Sequence, residues 1–253
     1  VFWDDRPGAL RSRIKGWATR RAYRRAWRFV ANDTNMLREM GEKIGPGEKA
    51  FERVAPGKWF VPNCVDTRFY QRVQPDSRLA GTEAIVVVRN LYRNRGIDLA
   101  IRAFARFAER ALRAVLVIVG REGQAGYLLE LKTLAERLGV EDKVIFLGRC
   151  DWQQTPAIYS AARMSLVTSV AGEGTSLSAL ESMACGTPVV ATKVGGLLDL
   201  PCVHSDPKDY ALAEAMGEVW EHWQDYGQRQ RQQVVESFNL ERWREAWLRI
   251  VER

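Results

Sequence analysis

No stretch of this 253-residue chain approaches the roughly 18 consecutive apolar residues that a membrane-spanning helix needs. The start, Val1-Phe-Trp-Asp-Asp, lacks the apolar core of a signal peptide, and it is not a methionine, which fits a fragment or a processed chain. Histidine is scarce. His204 and His222 lie too far apart for a metal site and read as ordinary surface or loop side chains. The four cysteines (Cys64, Cys150, Cys185 and Cys202) have no C-x-x-C spacing, which argues against zinc and for reduced thiols in a cytoplasmic protein. Internal repeats and low-complexity tracts are absent. Acidic residues are rare at one end only: residues 1–30 hold nine Lys/Arg against Asp4 and Asp5, a surplus of seven. The net charge of the whole chain is also +7, so residues 31–253 are neutral in sum. The basic balance is therefore local and is no nucleic-acid signature, since no recognised nucleic-acid-binding fold accompanies it.

With 46% hydrophobic residues, the chain can bury a real core in one or two domains. Residues 8–28 read as a basic helix carrying Leu10, Ile14, Trp17, Tyr23 and Trp27. Phe29 to Ala31 reads as a short strand. Asn32-Asp33-Thr34 caps a helix running to about Lys43, and Lys58 to Val61 forms another strand before Pro62. After a linker at Pro75 to Gly81 a regular alternation sets in. Strands are expected at 84–88, 114–119, 143–147, 164–168 and 189–191, and helices at 96–110, 126–138, 153–161 and from Thr175. Continuous Val/Ile/Leu runs are strands buried on both faces, and strand–helix alternation means a doubly wound parallel sheet of the α/β class. Helices at 207–222, 225–237 and 240–252 close the chain.

The stretch Glu173-Gly-Thr-Ser-Leu-Ser-Ala-Leu-Glu181 carries the chemistry. Two carboxylates stand eight positions apart around a helix start whose free N–H groups make an anion site. Glu173 precedes the helix, and Glu181, about two turns along, is a good acceptor for vicinal hydroxyls. A Glu pair is often only a solvated face. The flanking buried strands favour a site, because ligands in open α/β sheets bind outside the carboxyl ends of strands. An anion cradle between two hydroxyl-binding carboxylates suits a sugar joined to a nucleotide diphosphate.

Glu173 to Gly196 resembles, without a gap, the E-x7-E region of the retaining GT-B glycosyltransferases of family 4. Val61-Pro-Asn-Cys-Val-Asp-Thr-Arg-Phe69 is similar to that family's linker, and Val86 to Phe104 to its first strand and helix. The resemblance implies a GT-B-type fold with an incomplete N-terminal portion. Residues 1–74 would be the tail of an acceptor-binding domain and 75–237 a nucleotide-sugar-binding Rossmann-like domain. Residues 238–253 would be a helix crossing back, with Trp243 and Trp247 packing on the first portion. It also implies that Arg89 and Arg95 grip the diphosphate, which matches the need for preorganised cations at a leaving group. Taken alone, Arg89, Arg93 and Arg95 would be a solvated loop cluster. Glu173 would meet the sugar hydroxyls, the Gly174-Thr175-Ser176 backbone the phosphates, Glu181 the ribose, and Gly148-Arg149-Cys150 the base, with Leu177 also at the donor site. Asp151 reads as a helix cap and no residue as a metal ligand.

The chain departs from the family pattern at four places. Val88 stands for Gly, Arg95 for Lys, and Thr175-Ser176 for Phe-Gly. In Gly195-Gly-Leu-Leu-Asp-Leu-Pro201 the family's Pro after the glycines is missing, Asp199 stands for Glu and the following turn is deleted, so Gly195-Gly196 is either a plain turn or part of the site. The expected function is retaining, metal-independent glycosyl transfer from a nucleotide-diphosphate sugar, with UDP or GDP as carrier and no cofactor. The acceptor would be a glycan, lipid or small molecule. A truncated enzyme is the first reading. A non-catalytic subunit needing a separate acceptor-binding chain is the second, and a sugar-nucleotide epimerase is disfavoured by the E-x7-E match. The basic helix either lies on an anionic membrane surface, at the inner face, or packs its aromatics in a core. Its apolar residues hold no single stripe, which favours the core.

Overall fold

The computed structural model describes residues 10–252, with side chains from Ile14 onward; the expected helix start at residue 8 and the two ends of the chain lie outside them. Helix α1 (Leu10–Arg25) leads into strand β1 (Phe29–Ala31), helix α2 (Thr34–Glu39), and strands β2 (Glu52–Ala55) and β3 (Lys58–Phe60). The Asp33 side chain caps α2 by accepting from the Met36 amide at 2.7 Å. The helix ends at Glu39 and not near Lys43, because the backbone turns at Gly41 with φ 102°. Strand β2 was not expected. It pairs antiparallel with β3, and β3 pairs parallel with β1.

Lys58 fastens α1 to this small sheet. Its ammonium donates to the carbonyl of Ala26 at 2.9 Å and to that of Tyr23, and lies 4.6 Å from the Tyr23 ring centre. These carbonyls belong to the negative end of the helix, where a cation is favoured. Tyr23 then packs with Ala31, Leu37, Ile44 and Phe60. Trp17 and Trp27 do not join that core, contrary to the preferred reading of the basic helix; they are 60% and 77% exposed, with Arg21 and Arg28 stacked on them. Lys58→Met is expected to release α1 at a cost of roughly 2 kcal/mol, the usual worth of hydrogen bonds from a charged donor. Hydrogen exchange should show the loss in residues 14–25 with the main sheet unchanged.

The remaining chain supplies strands β4 (Glu83–Val88), β5 (Ala114–Val119), β6 (Val144–Gly148), β7 (Ala162–Val167), β8 (Val189–Thr192) and β9 (Val203–Ser205). Between and after them run α3 (Ile97–Ala108), α4 (Tyr127–Arg137), α5 (Thr155–Ala161), α6 (Leu177–Ala184), α7 (Asp209–Glu221), α8 (Trp223–Ser237) and α9 (Leu240–Val251). All six strands are parallel, in the order β6-β5-β4-β7-β8-β9. Ile85, Val87, Leu116 and Ile118 face one buried layer with α3, and Val86, Val117 and Val119 face the other, so both sheet faces are covered as the unbroken apolar runs require. The order reverses direction between β4 and β7, and a crevice opens at their carboxyl ends. Strand β9 is a three-residue edge strand that no apolar pattern announced. His204 sits in it, with Nε2 2.8 Å from the Leu197 carbonyl, so it is not a loop residue.

Helix α9 returns to the N-terminal layer. Ala246 and Ile250 pack with Phe51, Trp59 and Val61, with Trp243 and Trp247 beside them. Arg249 donates to the Phe51 carbonyl at 3.1 Å, and Arg28 to the Val251 carbonyl at 3.2 Å. The four cysteines are free thiols.

Candidate donor-binding cleft

Arg89 immediately follows β4, and Arg95 ends the 3-10 turn Arg93–Arg95 beyond it. Ser169 follows β7, and Glu173 lies four residues further, before α6. The crevice brings the four together. One Arg89 nitrogen stands 2.9–3.0 Å from the Glu173 carboxylate and another donates to Ser169 Oγ at 3.0 Å. Arg95 pairs with the same carboxylate, to which Ser169 also donates at 2.5 Å. Arg89 and Glu173 side chains are only 9% and 6% exposed, while Arg95 is 30% exposed. Burial pushes the Glu173 carboxyl up, but the Arg89 charge and hydrogen bond, the Ser169 hydroxyl and the Arg95 charge hold it below the ordinary carboxylate range. The cluster carries two fixed positive charges against one negative, so its surplus favours an anion at the mouth.

Helix α6 begins at Leu177 with Ser176 as its cap residue, two positions later than expected from the turn residues. The delay has a cause. Thr175 is drawn out of the helix by bonds to the N-terminal layer: its Oγ1 accepts from the Asn63 amide at 2.8 Å and donates to the Asn32 carbonyl at 3.0 Å. Asn63 Nδ2 also donates to the Thr175 carbonyl at 2.6 Å. Leu177 is half exposed at the rim. Glu181 lies further along the same helix, facing Tyr159 at 3.3 Å with Tyr70 nearby. Burial raises its carboxyl above the usual range, against the pull of both tyrosine hydroxyls.

A cleft of about 440 Å³, within the range of small-ligand sites, joins these groups. Arg89, Arg95, Glu173, Gly174, Thr175, Ser176, Leu177, Glu181 and Cys150 all line it. Gly148 and Arg149 do not. Arg149 is 76% exposed and leans toward Asp151 at 3.9 Å, because the chain leaves β6 at Gly148 with φ 72° and turns outward. Asp151 occupies the cap position of the turn Trp152–Gln154, yet its side chain makes no capping bond. Among the described residues, no group of His, Cys, Asp and Glu could hold a metal ion.

Several groups in and around the cleft were missed by sequence reasoning or noticed without their role. Asn32 and Asn63 come from the N-terminal layer, at the ends of β1 and β3. Asn63 lies inside the linker pattern read only as a connection, so its signal was present and its role was not. Ser169 had no signal beyond its place after a buried strand. Asp199, 5% exposed, accepts from the amides of Thr34 at 2.7 Å and Gly47 at 2.8 Å and from the Thr34 hydroxyl at 2.5 Å. Beside it Gly195 and Gly196 are more than a plain turn. A Cβ on Gly196 would fall 2.5 Å from the Gly174 carbonyl carbon and 2.6 Å from Asp33 Cβ.

The sequence pattern of the glycosyl transferases group 1 family matches residues 72–216, more than half of the chain. The chain belongs to that family. This group 1 family member is 32% identical over 185 residues to D-inositol 3-phosphate glycosyltransferase 2 of Catenulispora acidiphila, covering 69% of this chain and 39% of that protein. It is 30% identical over 235 residues to mannosylfructose-phosphate synthase of Agrobacterium fabrum, covering 87% and 51%. The chain thus spans only about two fifths to a half of these relatives. Among solved structures, Anabaena HepE in complex with UDP and glucose superposes with a TM-score of 0.77 at 22% identity, over 95% of this chain and 66% of that one. The likeness is one of fold, a Rossmann-like parallel sheet of the GT-B type, as the sequence led us to expect.

Proposed function

We propose that the group 1 family member binds a nucleotide-diphosphate sugar in this cleft and forms the donor half of a retaining glycosyltransferase of family 4. The observation that carries the reading is the convergence of Arg89, Arg95 and Glu173 with the open start of α6 at the β4–β7 switch point. The guanidinium groups and the helix start receive the diphosphate, Glu173 meets the sugar, and Glu181 accepts the ribose hydroxyls. The bond from the anomeric carbon to the phosphate oxygen breaks as the acceptor oxygen attacks from the same face, and the acceptor proton passes to the leaving phosphate. No protein nucleophile and no metal take part. HepE was solved with UDP and glucose, which makes UDP the first nucleotide to try. Acceptor choice belongs to the N-terminal side of the cleft, of which this chain carries Asn32 and Asn63.

Calorimetric titration with UDP, GDP and ADP tests the reading. One nucleoside diphosphate should bind selectively, and Glu181→Gln should weaken it about tenfold. The pH dependence has a definite sign. Because the Glu181 carboxyl is held above the ordinary range, wild-type affinity should fall as acid protonates it, starting at a higher pH than an ordinary carboxylate would give. The Gln variant should lack that component. Equal affinities and pH profiles for the two proteins would remove Glu181 from the site.

A second reading, that the chain serves as a donor-binding subunit for a separate acceptor-binding chain, draws on Ile14, Trp17 and Trp27, which are 57–77% exposed on and after α1. A partner that co-purifies and is lost on Trp17→Glu would favour it; an active, monomeric chain would not.

A further inference from the structure

Thr175 is 1% exposed, and both capacities of its hydroxyl are used: it donates to the Asn32 carbonyl and accepts from the Asn63 amide. These partners are 143 and 112 positions away, at the ends of two strands of the N-terminal layer. Thr175 itself lies between Glu173 and the first turn of α6, the two parts of the cleft argued to meet the donor. A second tether runs in parallel, where Asp199 holds the Thr34 and Gly47 amides. Gly196 sits between the two, too close to both Asp33 and the Gly174–Thr175 peptide to carry a Cβ. The loop with Glu173 therefore takes its position from the N-terminal layer as much as from the sheet that bears it.

We infer that Thr175 is a positioning residue, a hydroxyl latch that couples nucleoside diphosphate binding to the seating of residues 29–63 on the main sheet. The inference rests on the donor-site reading above. Linkage makes the coupling reciprocal: a ligand that needs the loop in place tightens the N-terminal layer, and loosening that layer weakens the ligand. Valine is the decisive replacement because it keeps the shape of threonine and removes the hydroxyl. Serine keeps the hydroxyl and removes a methyl group.

The test combines calorimetry with UDP, GDP and ADP and hydrogen exchange on the full chain as wild type, Thr175→Val, Thr175→Ser and Asn63→Ala. Thr175→Val and Asn63→Ala should each weaken the preferred nucleotide about tenfold and speed exchange in residues 29–63. Strands β4 and β5 should keep their protection, which shows that the variants are folded. Thr175→Ser should bind within about twofold of wild type. In the wild type, nucleotide should slow exchange in residues 29–63, and in Thr175→Val that slowing should vanish. Wild-type affinity in the Val variant, or a Ser variant as weak as Val, would overturn the latch while leaving the donor site intact. A wild type that binds none of the three nucleotides would overturn the donor-site reading itself and the coupling with it.

Discussion

Glu173→Ala should unfold at a temperature roughly 10 °C below the wild type and should show no measurable glycosyl transfer where the wild type has any. The stability loss follows from what the substitution leaves behind. Arg89 is 9% exposed and takes its charge compensation from Glu173, and Arg95 points into the same carboxylate. Without it, two guanidinium groups face each other across a small void, one of them out of water. Removing one partner of a buried pair typically costs about 3–5 kcal/mol. For a chain of this size each kcal/mol moves the midpoint by about 2–4 °C. Glu173→Gln, which keeps the shape and one acceptor oxygen, should lose about half as much. Acid offers an independent check. The Glu173 carboxyl is held below its ordinary range, so its contribution is present above the unfolded value and is lost as pH falls through the folded one. Wild-type stability should therefore decline more steeply in acid than that of the Gln variant. Differential scanning calorimetry at several pH values reads both effects. A Glu173→Ala protein as stable as wild type would show that the two arginines are compensated by another group.

Gly196→Ala should be nearly as damaging, although it adds one methyl group. The new carbon would lie 2.5 Å from the Gly174 carbonyl carbon, 2.6 Å from Asp33 Cβ and 2.7 Å from the Thr175 nitrogen. None of these is the free end of a flexible side chain, so backbone must move. Either the Glu173–Thr175 loop is displaced, which disturbs the Arg89 pair, or Asp33 is, which pulls Thr34 from the buried Asp199. Overpacking of this kind costs about 1–3 kcal/mol, and the loss of part of the Asp199 network adds to it. A drop of about 3 kcal/mol in denaturant unfolding is expected, with nucleotide affinity down at least tenfold. If only stability fell and affinity held, the strain would have been relieved on the Asp33 side.

The main sheet was legible in the sequence because its signal is local and redundant. Each of the runs Ala84 to Val88, Ala114 to Val119 and Val189 to Ala191 is short, rich in β-branched residues and apolar throughout, as a strand covered on both faces is. Strands β2 and β9 were not legible for the opposite reason. Glu52-Arg53-Val54-Ala55 has no apolar–polar alternation, and its best signal was the Pro56-Gly57 turn that joins it to β3. Within the cleft, residues inside the motif, such as Glu173 and Thr175, drew notice as site residues, and Asn32 and Asn63 of the N-terminal layer did not. An asparagine such as Asn63 becomes informative only when its partner, Thr175, is placed against it by contacts across more than a hundred residues. The same contacts explain the late start of α6, which capping rules alone set at Thr175.

The returning helix α9 also sets a timetable. Phe51, Trp59 and Val61 share their apolar cluster with Ala246 and Ile250 of this helix, and the Phe51 carbonyl takes its Arg249 donor from 198 positions later. Until α9 has been made, this layer lacks that part of its cover, and its tryptophan and phenylalanine are more available to other nascent chains. Chains shortened at the carboxyl end before Trp243 should therefore aggregate, even though every strand of the main sheet is present in them.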